Sequence, residues 1–198
     1  GLGGPFWRWR KERLRERLAP DAALGMDATL AMEPFYAKGG FVAAHRTLRF
    51  EAKGTASPLR PEVRDLDGFD WEDVLALDRH GFGFPRQTFL EAWIRRPGVR
   101  AFGVERGGTL SGIGVARPAH RGYRIGPLFA GNPADAESLL LALQSAVEGH
   151  PFSLDLPDAN PHALALARRH SMKPGFVCAR MYEGPPPPLP MEKIYAFT

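Results

Sequence analysis

Two stretches of this chain have the same order of structural signals, and this repetition constrains the fold more than any other feature. Residues Met26–Phe41 have the pattern of a strand end, a loop, a short amphipathic helix and a glycine break before the next strand. Residues Leu154–Met172 have the same order: an apolar strand end with an aspartate, a polar loop, a helix, a small residue and an apolar residue. The alternation of strands and helices predicts an α/β fold.

The spacing beyond the two helices supports a duplicated unit. Tyr36 precedes Arg49 by 13 positions (49 − 36), and Ala167 precedes Arg180 by 13 positions (180 − 167). The two copies are offset by 131 positions (167 − 36). If the second copy starts near Pro61, the first copy would start about 70 residues before the first residue given. We therefore expect the chain to begin partway through a first unit.

The composition narrows the class of protein. Of the 198 residues, 44% are hydrophobic and 24% are charged, which is typical of a folded globular protein. No apolar run approaches the roughly 18 to 20 residues of a membrane span, and the arginine-rich amino terminus has no apolar signal segment. We therefore expect no membrane association and a cytoplasmic location. The net charge of +4 is too small to indicate nucleic acid as a partner.

Three residue types bear on possible sites. The basic run at residues 8–17 contains Glu12 and Glu16, which favours a solvated helix face, with an anion-binding or nucleic-acid-binding patch as the alternative. The single cysteine, Cys178, has apolar neighbours on a predicted strand, so we expect a buried thiol without an internal disulfide. The six histidines lack paired ligand spacing, and we expect no metal site.

A run of small residues at 53–58 predicts a boundary between two parts. We predict that residues 1–54 are the carboxyl-terminal part of a first domain, residues 55–60 a linker and residues 61–198 a second domain. These parts are called the first unit and the second unit below. The predicted fold is tandem mixed sheets flanked by helices (α/β, or α+β), with the first copy partial. The expected helices are one after Pro5 and those at Met32–Lys38, Trp71–Asp78, Arg86–Ile94, Pro133–Val147 and Pro161–His170.

The remaining segments are expected as strands and connections. Residues His80–Pro85 are expected as a loop, and Phe41–Glu51 as a long strand or as two strands with a turn near Ala44-His45. The proline-rich Gly184–Pro190 favours a stiff crossover between the last two strands, with docking on an aromatic groove as the alternative. Further strands are expected at Ala22–Asp27, Ala101–Glu105, Thr109–Arg117, Tyr123–Ala130, Phe152–Leu156, Phe176–Tyr182 and Ile194–Phe197.

Two short motifs in the first unit carry a resemblance to a known family. Gly1-Leu2-Gly3 is similar to the end of an Arg/Gln-x-x-Gly-x-Gly/Ala loop, and Tyr36–Phe41 is similar to a Tyr-x-x-x-Gly-Phe segment. With the order of the predicted elements, these motifs resemble the GNAT N-acetyltransferase superfamily. The resemblance implies coenzyme A binding at the loop, a role that suits glycines at a helix start. The cofactor-binding residues implied here are Gly1, Leu2, Gly3 and Gly4.

The second unit resembles the YitH-type acetyltransferase domain of two-domain bacterial proteins. The resemblance is carried by Asp78–Arg86, by Ile125–Leu128, and by Ser171-Met172 leading to Arg180–Tyr182. The cofactor-binding residues implied in this unit are Phe129, Ala130 and Asn160. Asn160 opens a predicted helix, so it also suits an amino-terminal helix cap.

The second unit departs from the family pattern at both motifs. Only Gly131 remains near the turn that would hold the phosphates, and it is followed by Asn132 and Pro133. Ala167 occupies the position that corresponds to Tyr36, and it has no titratable group. Coenzyme A binding and catalysis are therefore expected mainly of the first unit.

The resemblance implies transfer of an acetyl group from acetyl-CoA to a small-molecule amine or a peptide amine. Tyr36 is the candidate acid that protonates the departing thiolate, and the alternative is a core tyrosine with its hydroxyl at the rim. No general base is assigned. The loop residues His80, His120 and Arg86 favour structural or solvated roles, although Arg86 could also meet an anion. A different hypothesis makes the second unit a non-catalytic module that binds a ligand or shapes the substrate cleft, and the given fragment is then inactive alone.

Overall fold

The computed structural model describes residues 2–198, in which nine strands form one mixed sheet with helices on both faces. The mixed α/β fold predicted from the sequence is confirmed, while the predicted cofactor contact at Gly1 lies outside the described residues. The strands are β1 (Leu24–Thr29), β2 (Val42–Lys53), β3 (Val63–Asp65), β4 (Arg100–Arg106), β5 (Thr109–Pro118), β6 (Tyr123–Ala130), β7 (Pro151–Pro157), β8 (Lys173–Glu183) and β9 (Ile194–Ala196). The α-helices are α1 (Gly3–Arg15), α2 (Glu33–Lys38), α3 (Trp71–Phe82), α4 (Gln87–Ile94), α5 (Pro133–Ala146) and α6 (Pro161–Arg169).

The strand order interleaves the two units. Along the sheet the order is β1-β8-β2-β7-β6-β5-β4-β3, and β9 pairs with β6. The expectation of a separate sheet on each side of residues 55–60 therefore differs from the structure. Strands β1 and β2 leave room for one strand between them, and β8 fills that gap with antiparallel hydrogen bonds on both sides. The division into two domains stays a prediction, because the sheet runs continuously through both units.

Two matching ion pairs lie in the interleaved part of the sheet. Arg49 on β2 donates from Nε and Nη2 to both carboxylate oxygens of Asp155 on β7, at 2.7 and 2.9 Å. Arg180 on β8 donates from the same two nitrogens to Asp27 on β1, at 2.9 and 2.7 Å. Each pair joins an arginine of one unit to an aspartate of the other, and the two arginines are the residues matched by the repeat. The aspartates are offset by 128 positions (155 − 27) and the arginines by 131 (180 − 49), and the duplicated unit stays a prediction.

The faces of the sheet carry different helices. On one face, α5 and α6 cover the main core, which includes Leu139, Leu143 and Leu154, while α1 and α2 cover a smaller cluster at the β1 edge. On the opposite face, α3 and α4 pack through Val74 and Leu90. The two arginine–aspartate pairs lie on this second face, since their neighbours along each strand point into the cores of the first.

Local differences from the predicted boundaries have steric causes. Helix α3 continues through Gly81 to Phe82, where a loop was expected, and it ends at Gly83, whose φ is +99°. Gly81 fits within the helix because a Cβ there would lie 2.6 Å from the ring of Phe129, so only glycine allows this close packing. Strand β2 is continuous, and the turn expected near Ala44-His45 is instead a register shift between Ala43 and His45.

The environment of the single cysteine agrees with the sequence. Cys178 is buried on β8, opposite Thr47 on β2, and its Sγ lies 3.9 Å from the Thr47 carbonyl oxygen. Burial raises the pKa of the Cys178 thiol. The predicted burial is confirmed, and the raised pKa keeps this thiol protonated and unreactive near neutral pH.

Candidate functional site

The first turn of α1 presents uncapped backbone amides. Leu2 stands at the N-cap position without a side-chain hydrogen bond, and the first turn contains no acidic residue. Beyond Gly3 there is no neighbouring atom within 4 Å of the position a Cβ would take, and beyond Gly4 only an Arg8 nitrogen at 3.9 Å. No side chain of the described residues caps these amides, and the positive end of a helix dipole suits an anion such as a diphosphate.

Tyr36 lies on α2, close to this helix start. Its ring packs edge-on against Trp7 at a centroid distance of 5.0 Å, and it is half-buried. Tyr36, Gly3 and Gly4 line the same cavity of about 510 Å³, called the α1 cavity below. The other lining residues are Phe6, Trp7, Arg10, Leu14, Met32 and Phe35. The structure thus brings the predicted acid together with two of the predicted phosphate-binding glycines, whereas Leu2 is 87% exposed and does not line the cavity.

None of the residues of α1 is fully buried, so apolar packing alone does little to hold this helix on the sheet. Polar contacts supply further attachment. Lys11 Nζ lies 2.7 Å from Glu183 Oε1 on β8, and Arg15 lies 3.3 Å from the other carboxylate oxygen. Lys11 also donates to the Gly39 carbonyl oxygen at 2.7 Å, just after α2. Burial acts to raise the pKa of Glu183, but hydrogen bonds and charge from Lys11 and Arg15 outweigh it and lower that pKa. Glu183 therefore holds the carboxyl-terminal half of α1 against β8.

The corresponding helix of the second unit, α5, is closed to an external anion. Asn132 Oδ1 accepts hydrogen bonds from the amides of Ala134 and Asp135, both at 3.0 Å. The Asp135 side chain lies in the first turn of α5 and is fully buried. It already accepts a hydrogen bond from Arg106 Nε at 2.7 Å. The chain's own groups thus occupy the amides and the positive charge that a phosphate would need.

The opening between β6 and β7 is also occupied by the chain itself. These two strands pair in parallel only at Tyr123–Ile125 with Phe152–Leu154, and they diverge beyond that point. Strand β9 lies in the gap: it pairs with β6 at Leu128 and Phe129, and the Phe197 amide donates to the Asp155 carbonyl oxygen at 2.9 Å. The predicted contact residues Phe129 and Ala130 are only 2% and 3% exposed. A cofactor contact at these residues would require β9 to leave the gap.

Asn160 is fully buried, and its side-chain amide is fully used within the chain. Its Oδ1 accepts from the amides of His162 and Ala163, so the cap predicted for α6 is confirmed. Its Nδ2 donates to the carbonyl oxygens of Ile194 at 2.9 Å and Glu192 at 3.2 Å. Asn160 therefore joins the start of α6 to β9, and a cofactor contact at this residue stays a prediction that would need these bonds to break.

A second cavity, called the β1 cavity below, lies on the other face of β1 from the α1 cavity. It measures about 500 Å³. Leu24 and Ala28 face the α1 side, whereas Gly25 lines this cavity. A Cβ on Gly25 would lie 2.8 Å from the ring of Tyr182, so glycine is what allows the ring to lie across the strand. The other lining residues are Ala23, Gly81, Phe82, Phe84, Arg180, Tyr182, Pro185, Pro187, Leu189 and Phe197.

Aromatic side chains line much of the β1 cavity, and the charge of its arginine is balanced by an aspartate. Arg180 is the one charged residue of its lining within residues 2–198, and Asp27 already pairs with both ends of its guanidinium group. Phe197 stacks on the His45 ring at 5.6 Å, and burial followed by the charge of Arg180 lowers the pKa of His45. The sequence did not identify this cavity, because its walls come from both units and from the proline-rich segment.

The loop candidates from the sequence have separate positions. Arg86 donates to both carboxylate oxygens of the buried Asp78 at 2.8 and 2.7 Å, and its side chain is only 8% exposed, so it is a structural group. His80 lines a small cavity beside Gly131, and His120 lines a cleft near the start of β7. Residues 2–198 contain no group of three or more potential metal ligands. None of the helices described in these residues has the length and apolarity to cross a membrane.

Comparison with known proteins places this geometry among acyltransferases. A family model described as an acetyltransferase (GNAT) domain matches residues 74–196. Holothin acyltransferase from Pseudoalteromonas sp. (strain SANK 73390) is 27% identical over 178 residues, which make up 89% of this chain and 60% of that protein. This chain therefore spans less than two thirds of that relative's length.

Solved structures give the same result. A candidate acetyltransferase from Pyrococcus horikoshii matches with a TM-score of 0.82 and 27% identity, over 100% of this chain and 64% of that one. A GCN5-related N-acetyltransferase from Sphaerobacter thermophilus matches with a TM-score of 0.65 and 14% identity, over 92% of this chain and 67% of that one, which shows a likeness of fold alone.

Proposed function

We propose, since this chain belongs to the family of GNAT acetyltransferase domains, that it forms the catalytic part of an N-acyltransferase that uses acetyl-CoA as donor and a primary amine as acceptor. The observation that carries the proposal is the shared lining of the α1 cavity by Gly3, Gly4 and Tyr36. A phosphate-binding helix start and a phenol in one cavity are what a thioester nucleotide and its departing thiolate require.

In this proposal the donor's diphosphate binds the free amides at the start of α1. The acyl end extends along the edge strand β1 towards Tyr36, which protonates the thiolate as the amine attacks the carbonyl carbon. The nitrogen–carbon bond forms, the carbon–sulfur bond breaks, and the phenolic proton moves to sulfur. The proton that the amine nitrogen gives up passes through solvent water and restores the phenol. Trp7, packed against the Tyr36 ring, keeps the phenol in place and keeps water from one side of it.

The second unit has a supporting role in this proposal. Asn132 and Asp135 close the start of α5, and β9 fills the gap between β6 and β7. Both donor positions of the second unit are thus occupied by the chain. The second unit contributes instead to the wall of the β1 cavity through Tyr182, Phe84 and Phe197. This geometry favours the hypothesis of a substrate-shaping module.

The β1 cavity is our candidate for the acceptor site. It meets the same edge strand as the α1 cavity, from the opposite face, so donor and acceptor would approach each other around β1. Aromatic and proline side chains dominate its walls, and its one arginine is already neutralised by Asp27. These walls favour a compact, largely apolar amine over a polyamine or a nucleotide. The Pseudoalteromonas relative is named for acyl transfer to holothin, and its acceptor class is consistent with a small-molecule amine here.

The test is a steady-state assay of thiol release from acetyl-CoA by the full-length protein, with a panel of neutral aromatic amines. We expect Tyr36→Phe to lower kcat about 100-fold or more, because general acid catalysis contributes that much, while KM for acetyl-CoA changes little. Tyr123→Phe is the matched control, since this half-buried tyrosine on β6 lies outside both cavities. Equal kcat in the two variants would contradict the role of Tyr36 as the acid.

A further inference from the structure

A basic cleft lies apart from the two cavities of the proposed reaction. It measures about 610 Å³ and lies at the start of β6 and β7, on the face of the sheet that carries α3 and α4. We call it the cationic cleft. Its charged lining consists of four arginines and one glutamate: Arg49, Arg117, Arg121, Arg124 and Glu51.

The positive charge of the cleft exceeds the negative charge that the chain supplies. Asp155 accepts both hydrogen bonds of the Arg49 guanidinium at 2.7 and 2.9 Å, and it also lies 3.5 Å from Arg124. One carboxylate thus serves two guanidinium groups. Arg121 forms no ion pair with any residue in the described part of the chain. With Glu51 exposed at the rim, four cations face two anions.

Arg117 adds an unmet hydrogen-bonding requirement. Its Nε is buried and has no hydrogen-bond partner, and the guanidinium lies 4.5 Å from the centroid of the Trp93 ring. Burial and then the nearby charge of Arg96 lower the pKa of Arg117. A buried N–H donor without an acceptor destabilises the folded chain. An anion in the cleft would lie against the Arg117 side chain and reduce the repulsion between the arginines.

The loop that carries Arg121 packs closely against the start of β7. Gly122 has a φ of +66°, and a Cβ at this residue would lie 1.9 Å from the Pro151 carbonyl oxygen. The Ala119 amide closes the turn by donating to the Gly122 carbonyl oxygen at 2.9 Å. The close contact with the start of β7 therefore fixes the side of the cleft formed by this loop. A preformed site loses less entropy when a ligand binds.

We propose that the cationic cleft binds a small organic anion through phosphate or carboxylate groups. Guanidinium groups bind both kinds of oxyanion through paired, charge-assisted hydrogen bonds, so the two share one recognition chemistry. The cleft is a partly open hollow between the loop at residues 119–121 and strands β2, β5, β6 and β7, and its volume suits a small molecule. It is distinct from the donor position, because α1 and Tyr36 lie on the other face of the sheet.

The test is isothermal titration calorimetry with inorganic pyrophosphate and with citrate, one probe for each oxyanion class. We expect both to bind, with an affinity that falls as salt screens the arginines. Arg121 lies on an exposed loop, so we expect Arg121→Gln to keep the fold. Arg121→Gln and Arg117→Gln should each weaken binding about tenfold. Arg168→Gln, an exposed arginine on α6, should leave the affinity unchanged.

Three results would overturn the proposal. The first is the absence of binding heat with both probes at millimolar concentration. The second is equal affinity in wild type, Arg121→Gln and Arg168→Gln. The third is tighter binding of a single-stranded oligonucleotide than of both small anions, with loss in Arg121→Gln, which would assign the cleft to nucleic acid instead. Neither readout depends on acyl transfer, so the result is independent of the proposed reaction.

Discussion

Replacing Asn160 tests whether the chain itself holds the gap between β6 and β7 closed. In Asn160→Ala, α6 loses the cap formed with the amides of His162 and Ala163, which costs about 1 kcal/mol. The carbonyl oxygen of Ile194, buried at 2.9 Å from Nδ2, is left without its donor, at a cost of about 1–3 kcal/mol. The carbonyl oxygen of Glu192 is only partly buried, so water replaces its lost bond at little cost. The expected loss of unfolding free energy is about 2–4 kcal/mol.

Urea unfolding followed by circular dichroism measures this loss, and hydrogen exchange localises it. The Phe197 amide, which donates to Asp155 at the end of β9, should exchange about tenfold faster in Asn160→Ala, because a looser β9 opens more often. Asp70→Ala is the matched control: Asp70 caps α3 with one hydrogen bond to the Glu72 amide and does not contact β9. That control should cost about 1 kcal/mol and leave Phe197 exchange unchanged. If Asn160→Ala costs no more than Asp70→Ala, and Phe197 exchange is unaffected, Asn160 does not anchor β9.

Two further predictions concern ion pairs. Glu183→Gln removes the carboxylate that holds Lys11, so amides of α1 should exchange faster in solution than in wild type, without loss of the global fold. The folded-state pKa of Glu183 is lowered from its ordinary 4.5, so the stabilisation by Glu183 is present above that value and is lost as pH falls through the lower folded pKa. Acid should therefore release α1 in wild type. In Glu183→Gln, where the carboxylate is already absent, acid should cause no additional release. Arg86→Ala leaves the buried Asp78 carboxylate uncompensated and should lower the unfolding free energy by about 3–5 kcal/mol in urea titrations. Unchanged stability in that variant would contradict the structural role of Arg86.

Local sequence patterns predicted most elements because each pattern has a local physical cause. The apolar run of β6 and the leucine-rich α5 are in their expected places, since runs and periods of apolar residues indicate which parts of an element are buried. Helix α3 was predicted too short, because Gly81 is usually a helix breaker, and its tolerance depends on the distant Phe129 ring. Contacts of that kind are set by tertiary packing, which a local pattern does not contain.

The arrangement of strands was beyond the reach of the sequence for the same reason. The equal spacing of Arg49 and Arg180 from their helices indicated a repeat, but it did not show that each arginine pairs with an aspartate of the other unit. The entry of β9 into the gap depends on the buried bonds of Asn160, which the sequence identified only as a cap. The glycines of α1 and Tyr36 were predicted from the resemblance of their motifs to the GNAT superfamily, and the structure added the shared cavity.

A chemical-shift map of the chain titrated with coenzyme A tests the proposed donor site most directly. We expect the largest amide shifts at Gly3 and Gly4, with a shift at Tyr36, because the start of α1 and the phenol line one cavity. We expect no shift at Ala134 or Asp135, whose amides already donate to Asn132. Shifts confined to the start of α5, with none around α1, would contradict the assignment of the donor site.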